Sequence, residues 1–293
     1  MMTEPGWERA LDGATRSRLT LHVGGVDNGK TSLATFLANG LLARGFQVGV
    51  VDADLGQSEI GPPTTIGLGR VTRTLERLGD AHMVGLSFVG STSPRGHVRS
   101  TLAATRHMVD RAFAEGLDRV IVDTCGLIDG PLGRIYKQGQ IDRLDPDFLV
   151  VVQRRDECEP IVRPYDECER PEIVRVPAGE HVCRRTAVER RRHRTAALDR
   201  YFQGAGPQRL ALPRLRLRIM TDQSCPVPLD ARDDLESRLV GLDDAEGATL
   251  GLGAIRGVDV VDRTVLVDTP VADAHVAGLR VGCHALRSLE PVR

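Results

Sequence analysis

The 293-residue chain has little of several things, and each scarcity excludes a class of function. Aromatic residues make up 3% of it, so the stacking platforms on which single-strand binders lay their bases are scarce. No stretch approaches the roughly 20 consecutive apolar residues that a membrane helix needs. The first 18 residues hold Glu4, Trp7, Glu8 and Asp12 without a continuous apolar run, which argues against a secretory signal or a transit peptide. A cytoplasmic protein with no membrane association is expected. The six cysteines, at 125, 158, 168, 183, 225 and 283, include no C-x-x-C pair, so neither a zinc site nor a disulfide framework is expected. A net charge of −1 excludes a polycation that coats nucleic acid over its whole surface, and any polyanion site must be local.

Lysine is the scarcest cation. Only Lys30 and Lys137 occur, so the other 37 of the 39 basic residues are arginine. In such a chain a lysine marks a position that calls for a compact point charge in place of a planar fork.

What is present is a succession of short apolar runs: 19–23, 47–53, 83–89, 119–124, 148–152 and 172–176. Helical periodicity lies between several of them, with Leu33, Leu37, Leu41 and Leu42 on one face of 31–44, and Leu102, Met108, Val109 and Phe113 similarly over 97–115. Strand–helix alternation with near-continuous apolar strands predicts an α/β fold, a parallel sheet with helices on both faces. After residue 205 the pattern changes to short strands, which predicts a small β-rich unit over 206–293 packed on a sheet domain over 17–205, with 1–16 as an N-terminal tail.

Between the first run and the first helical pattern stands "GGVDNGKTS", a Gly-x4-Gly-Lys-Thr loop in the strand–loop–helix context that phosphate binding requires. Gly24, Gly25, Val26, Asp27, Asn28, Gly29, Lys30, Thr31 and Ser32 are expected to surround the phosphates of a nucleoside triphosphate. Backbone N–H groups and the helix N-terminus cradle the β-phosphate, Lys30 neutralises charge and Thr31 reaches a magnesium ion. Two carboxylates alternate at the end of "VVDADLGQ", so one of Asp52 and Asp54 points to the crevice, either as a proton acceptor or as a metal ligand, while a plain turn role stays open for each. Asp123, closing "VIVDT", has the form of a second magnesium carboxylate. The loop "STSPRGH" over 91–97 either contacts a substrate or caps the following helix. Residues 184–200 carry seven arginines against Glu189 and Asp199. They form either a solvated face or a lid that brings positive charge to a transferring phosphoryl group.

These motifs, together with "GPPTTIG" and "RYFQG", follow one another as they do in a known family. From about residue 17 to 205 the chain resembles the ATP-dependent polynucleotide 5′-hydroxyl kinases, which include the RNA kinase associated with eukaryotic messenger-RNA cleavage and the related kinase of ribosomal-RNA processing. The resemblance implies transfer of the γ-phosphate of ATP, with Mg2+, to the 5′-hydroxyl of an RNA or DNA end. It implies Asp54 as the carboxylate that activates the hydroxyl, and Gln57, Thr92, Ser93, Gly126 and Leu127 as candidate substrate contacts. It also implies a lid helix over 184–202 in which Arg190 serves the transition state, supported by Arg185 and Arg194. Two departures accompany it. About 18 residues precede the first strand where the eukaryotic relatives carry a β-rich domain, so adenine contacts from that domain are expected to be absent or replaced. Leu127 stands where the messenger-RNA relative has a stacking aromatic, so binding is expected to lean on phosphates with little sequence preference. Protein partners are not indicated. A phosphate-loop kinase of a small metabolite and a non-catalytic ATP-binding scaffold are the other readings of the same residues.

Overall fold

The computed structural model describes residues 6–179, 186–220, 235–272 and 275–286. Its first half alternates helix and strand: α1 (Trp7–Arg16), β1 (Leu19–Gly24), α2 (Lys30–Ala43), β2 (Val48–Ala53), β3 (Thr65–Val71), β4 (His82–Phe88), α3 (Val98–Ala114), β5 (Arg119–Thr124), α4 (Gly130–Leu144), β6 (Phe148–Gln153), the single turn α5 (Glu159–Val162), β7 (Glu172–Pro177) and α6 (Ala187–Tyr201). Shorter strands follow: β8 (Gly206–Ala211), β9 (Arg216–Ile219), β10 (Arg238–Asp243), β11 (Thr249–Asp259), β12 (Thr264–Thr269) and β13 (Gly278–Ala285).

Strands β7, β6, β1, β5 and β2 lie side by side in parallel, with every residue of β1, β2 and β6 buried, as their unbroken apolar sequences require. On one face α1 and α2 pack through Trp7, Leu11, Leu33 and Leu37 onto Val50, Ile121 and Val150. On the other, α3, α4 and α5 pack through Met108, Val109, Ile141 and Ile161 onto Leu21, Val51, Val122 and Val151. Helix α2 forms because its leucines at i, i+4 and i+8 share the inward face; Leu33, Leu37 and Leu41 are buried, while Leu42 lies at the edge.

The expected α/β architecture with added C-terminal strands is present, and the structure refines it at three points. The sheet is mixed: β3, whose "TIGLGRV" sequence carries glycines where a strand favours branched side chains, runs antiparallel between β2 and β4. β4 therefore still runs in the direction of β2, so the loop after it opens on the same edge as the ends of the parallel strands. The segment read as a tail forms α1, held by burial of Trp7, Ala10, Leu11 and Ala14 and by the Trp7–Phe36 ring contact at 5.1 Å. The C-terminal strands extend the same sheet through the β4–β11 pairing and through Phe88 N–H donating to Thr249 Oγ1 at 3.0 Å. They keep a core of their own around Val240, Leu242, Ile255 and Val267. Among the described residues, no helix is long and apolar enough to cross a membrane.

Candidate active site

The loop between β1 and α2 closes on itself in the way its glycines allow. Asp27 and Gly29 both take left-handed backbone conformations, φ 52° and 88°. A Cβ on Gly24 would stand 2.4 Å from the Val152 carbonyl, so the close seat of the loop on β6 requires glycine there. Asn28 ties the loop down, its Nδ2 donating to Val152 O at 3.3 Å and to Glu157 Oε1 at 3.2 Å. Arg154 crosses the back of the loop, donating from Nε to Asn28 Oδ1 and from Nη2 to Asp27 O. Lys30, 6% exposed, donates from Nζ to Gly25 O at 2.7 Å, which points its ammonium into the cradle. Val26 and Ser32 are exposed on the outer side of the loop.

Thr31 and Asp123 meet here. Thr31 Oγ1 donates to Asp123 Oδ2 at 2.6 Å, and His22 Nδ1 stands 3.9 Å from Asp123 Oδ1. Burial raises the pKa of Asp123, but the neighbouring His22, Lys30 and Thr31 outweigh it and hold the carboxyl below its ordinary range. Asp123 Oδ1 is buried and has no hydrogen-bond partner among the described residues. A hard cation with its water shell suits such a site: the donors are a hydroxyl and a carboxylate, and one buried oxygen is unsatisfied.

Asp52 lies beside Asp123 in the parallel register of β2 and β5. Burial first, and then the Asp123 charge, push its pKa up to about 8. Both of its oxygens are engaged. Oδ1 accepts the Asp54 N–H at 3.0 Å, and Oδ2 accepts the N–H groups of Glu59 at 2.6 Å and Ile60 at 2.9 Å as well as the Ser58 hydroxyl at 3.3 Å. The side chain thereby anchors the 54–60 loop, an engagement that disfavours Asp52 as the alternative base.

The loop so anchored presents Asp54. Its Oδ1 accepts N–H groups from Gly56 and Gln57, both at 2.9 Å, in an Asx turn that fixes the carboxylate at the strand-end edge. Gln57 donates to Gly56 O at 2.6 Å and to the Arg190 carbonyl at 3.3 Å, so helix α6 rests on this turn.

Helix α6 starts with a capping box in which Thr186 N–H donates to Glu189 Oε2 and Glu189 N–H to Thr186 Oγ1, an arrangement readable in "TAVE". It ends with Tyr201, whose hydroxyl accepts the Leu252 N–H at 2.7 Å, and with Leu198 buried beside Phe88 and Leu252. Thus anchored on the C-terminal strands, it spans the crevice. Arg190 Nη1 lies 3.4 Å from Asp27 Oδ2 on the phosphate loop, and His193 lies 3.9 Å from Glu59. Arg194 is half-buried; its desolvation, and then Arg191 and Arg190, lower its pKa, while the Asp54 charge acts the other way. Arg185 lies outside the described residues, and the described helix begins at Ala187, short of the expected 184.

At the third corner neither the serines nor the threonine of the 91–97 loop caps α3. The N-cap of that helix is His97. Thr92 and Ser93 instead remain half-buried at the edge, with Thr92 O against Gly56 of the Asp54 turn. Gly126 presses on the phosphate loop, where a Cβ would meet Val26 N at 2.4 Å, and Leu127 follows it, half-buried. Sequence reasoning missed Arg154 and Glu157 as supports of the loop. It singled out Lys137 without a role; the structure shows it 0% exposed, donating to Thr124 Oγ1, Cys125 O and Gln140 Oε1 directly beneath the turn that carries Gly126.

The similarities of the chain agree with this geometry. It is 28% identical to the polyribonucleotide 5′-hydroxyl-kinase of Methanocaldococcus jannaschii over 88% of this chain and 83% of that one. It is 27% identical to the polyribonucleotide 5′-hydroxyl-kinase of Pyrococcus furiosus over 89% and 85% of the two chains. In three dimensions it superposes on the structure of wild-type Clp1p with Pcf11p with a TM-score of 0.74 at 16% identity, over 94% of this chain and 77% of that one, a likeness of fold. Residues 24–204, from the first glycine of the phosphate loop to the end of the arginine helix, match the family model described as mRNA cleavage and polyadenylation factor CLP1 P-loop, and the chain belongs to that family.

Proposed function

We propose that this protein is a magnesium-dependent kinase that transfers the γ-phosphate of ATP to the 5′-hydroxyl end of a polynucleotide, RNA or DNA. The observation that carries the reading is the convergence of the Asp54 turn, the Lys30 loop and helix α6 on one sheet edge, with Gln57 linking Asp54's turn to Arg190. The names of the archaeal relatives support the same reaction for this chain.

In this reading the backbone N–H groups at the start of α2 and the Lys30 ammonium hold the β- and γ-phosphates. Thr31 Oγ1 and, through water, Asp123 would hold a magnesium ion, which would supply positive charge to the phosphoryl oxygens. Asp54 Oδ2, the oxygen not used in the turn, accepts the proton of the 5′-hydroxyl. The 5′ oxygen of the acceptor then forms the new bond to the γ-phosphorus while the bond to the bridging β–γ oxygen breaks and ADP leaves. Arg190 moves from Asp27 to the γ-phosphoryl oxygens, supported by Arg194; Arg185, outside the described residues, is a further candidate for this role. Thr92, Ser93, Gly126 and Leu127 flank the acceptor, and contacts to its phosphates dominate over base contacts. A cytoplasmic location fits this reading.

The test is to incubate the protein with γ-labelled ATP, Mg2+ and 5′-hydroxyl oligonucleotides of equal RNA and DNA sequence. Label at the 5′ end, lost in Lys30→Ala, supports the reading. ATP turnover that candidate metabolites compete for, with no end-labelling, would replace it with a small-molecule kinase, and tight ATP binding with no transfer would replace it with a scaffold.

A further inference from the structure

Besides anchoring α6, the C-terminal strands meet the candidate active site at the loop that follows β4. Cys283 N–H donates to Gly90 O at 2.8 Å, and the two chains run so close that a Cβ on Gly90 would stand 2.9 Å from Gly282 Cα. Arg280 braces the contact, donating from Nη1 to Phe88 O at 2.8 Å while it forms two hydrogen bonds with Asp243, at 2.6 and 2.8 Å. Cys283 Sγ also lies 3.5 Å from Nε2 of His97, the N-cap of α3. The loop is therefore gripped at both of its ends.

The residue that touches its centre is His284, 7% exposed on β13. Its Nε2 accepts the Thr92 N–H at 3.1 Å and stands 3.3 Å from Thr92 Oγ1. Accepting the amide proton requires the tautomer protonated on Nδ1. On its other side Thr92 meets the Asp54 turn: a Cβ on Gly56 would come within 2.7 Å of Thr92 O, and Gly56 N–H is one of the two donors that hold Asp54 Oδ1. Thr92 is thus clamped between an imidazole from the C-terminal end of the chain and the turn that carries the proton acceptor.

We infer that His284 is a positioning residue for the acceptor: by holding the Thr92 amide it sets the distance between the 91–97 loop and Asp54. The C-terminal strands thereby become part of the substrate site. The inference rests on the proposed reading of Thr92 and Ser93 as acceptor contacts, and it separates the two substrates kinetically. The ATP side of the crevice is built from the phosphate loop, β5 and β6, whereas His284 holds Thr92 on the loop after β4, so its loss should be felt chiefly by the oligonucleotide.

The test uses steady-state kinetics on the full chain with both substrates varied. His284→Phe fills the space without an acceptor, and His284→Gln places a carbonyl oxygen near the position of Nε2. The Phe variant is expected to raise KM for the oligonucleotide about tenfold or more and to leave KM for ATP within about twofold, as befits an unsatisfied buried amide. The Gln variant is expected to recover most of that loss. If phenylalanine prevents folding, His284→Ala is read in the same way. A rise of both KM values together, or failure of Gln to restore, overturns the inference in favour of a merely structural side chain. The double variant Thr92→Ala, Ser93→Ala separates the premises: an unchanged oligonucleotide KM there overturns the acceptor-loop reading itself, whereas a raised one beside an unaffected His284→Phe overturns only the role of His284.

Discussion

Arg190 and Asp27 form an ion pair at 3.4 Å across the crevice, from the lid helix to the phosphate loop. The guanidinium thus reaches the loop that, in the proposed reading, holds the phosphates. Arg190→Ala should lower kcat by about a thousandfold while KM for ATP changes little, because the interaction is made to charge that develops in the transition state. Arg190→Lys should recover little, since an ammonium cannot span two phosphoryl oxygens as the planar fork does. Equal activity of the Lys variant in the labelling assay would contradict this.

Gly126 sets how closely the end of β5 approaches the phosphate loop. Gly126→Ala places a Cβ 2.4 Å from Val26 N, a backbone atom that cannot swing away as a side-chain tip could. The loop must shift, at a cost of about 1–3 kcal/mol. The expected outcome is ATP affinity weaker by about tenfold, measured by calorimetric titration, with the fold intact by circular dichroism. Unchanged affinity would mean that the loop tolerates the shift.

Lys137 contributes through pH. Burial lowers its pKa from 10.5 to about 8. Between about pH 8 and 10.5 the unfolded chain therefore holds a proton that the folded chain has released, so the stability this group contributes rises with pH across that window and is lost as pH falls through 8. Below the window its folded-state charge is held by hydrogen bonds to Thr124, Cys125 and Gln140. Urea unfolding at pH 8 and pH 10 should show the wild type gaining stability relative to Lys137→Met as pH rises. A difference that is flat with pH would show that the lysine titrates normally.

These three residues differ in how plainly the sequence announces them. The phosphate loop and the apolar parallel strands were readable because local spacing alone dictates them: a glycine-rich turn between a strand and a helix, and unbroken branched runs. β3 was not, because Gly67 and Gly69 mask its strand character and only pairing with β2 and β4 stabilises it. Nor was α4, which opens on "GPLG" and buries Lys137 and Gln140, polar residues that blur an apolar stripe. The tail expected over 1–16 hid α1, since a single amphipathic helix with few large side chains looks like a charged leader until Phe36 and Leu37 supply the surface it covers.

Within the site the same distinction holds. Asp54 and Asp52 stand two residues apart and only their hydrogen bonds tell them apart: one carboxylate ties down seven residues of loop, while the other keeps an oxygen free of the turn. His284 is separated from Thr92 by 192 positions, and no local pattern marks it.

The most direct measurement is single-turnover transfer from γ-labelled ATP to a 5′-hydroxyl oligonucleotide by Asp54→Asn, with ATP binding followed in parallel. The asparagine carbonyl preserves the turn made by Gly56 and Gln57 but cannot take a proton, so transfer should fall by about a hundredfold or more while ATP binds as in the wild type. Transfer at the wild-type rate would contradict the assignment of Asp54 as the proton acceptor of the 5′-hydroxyl.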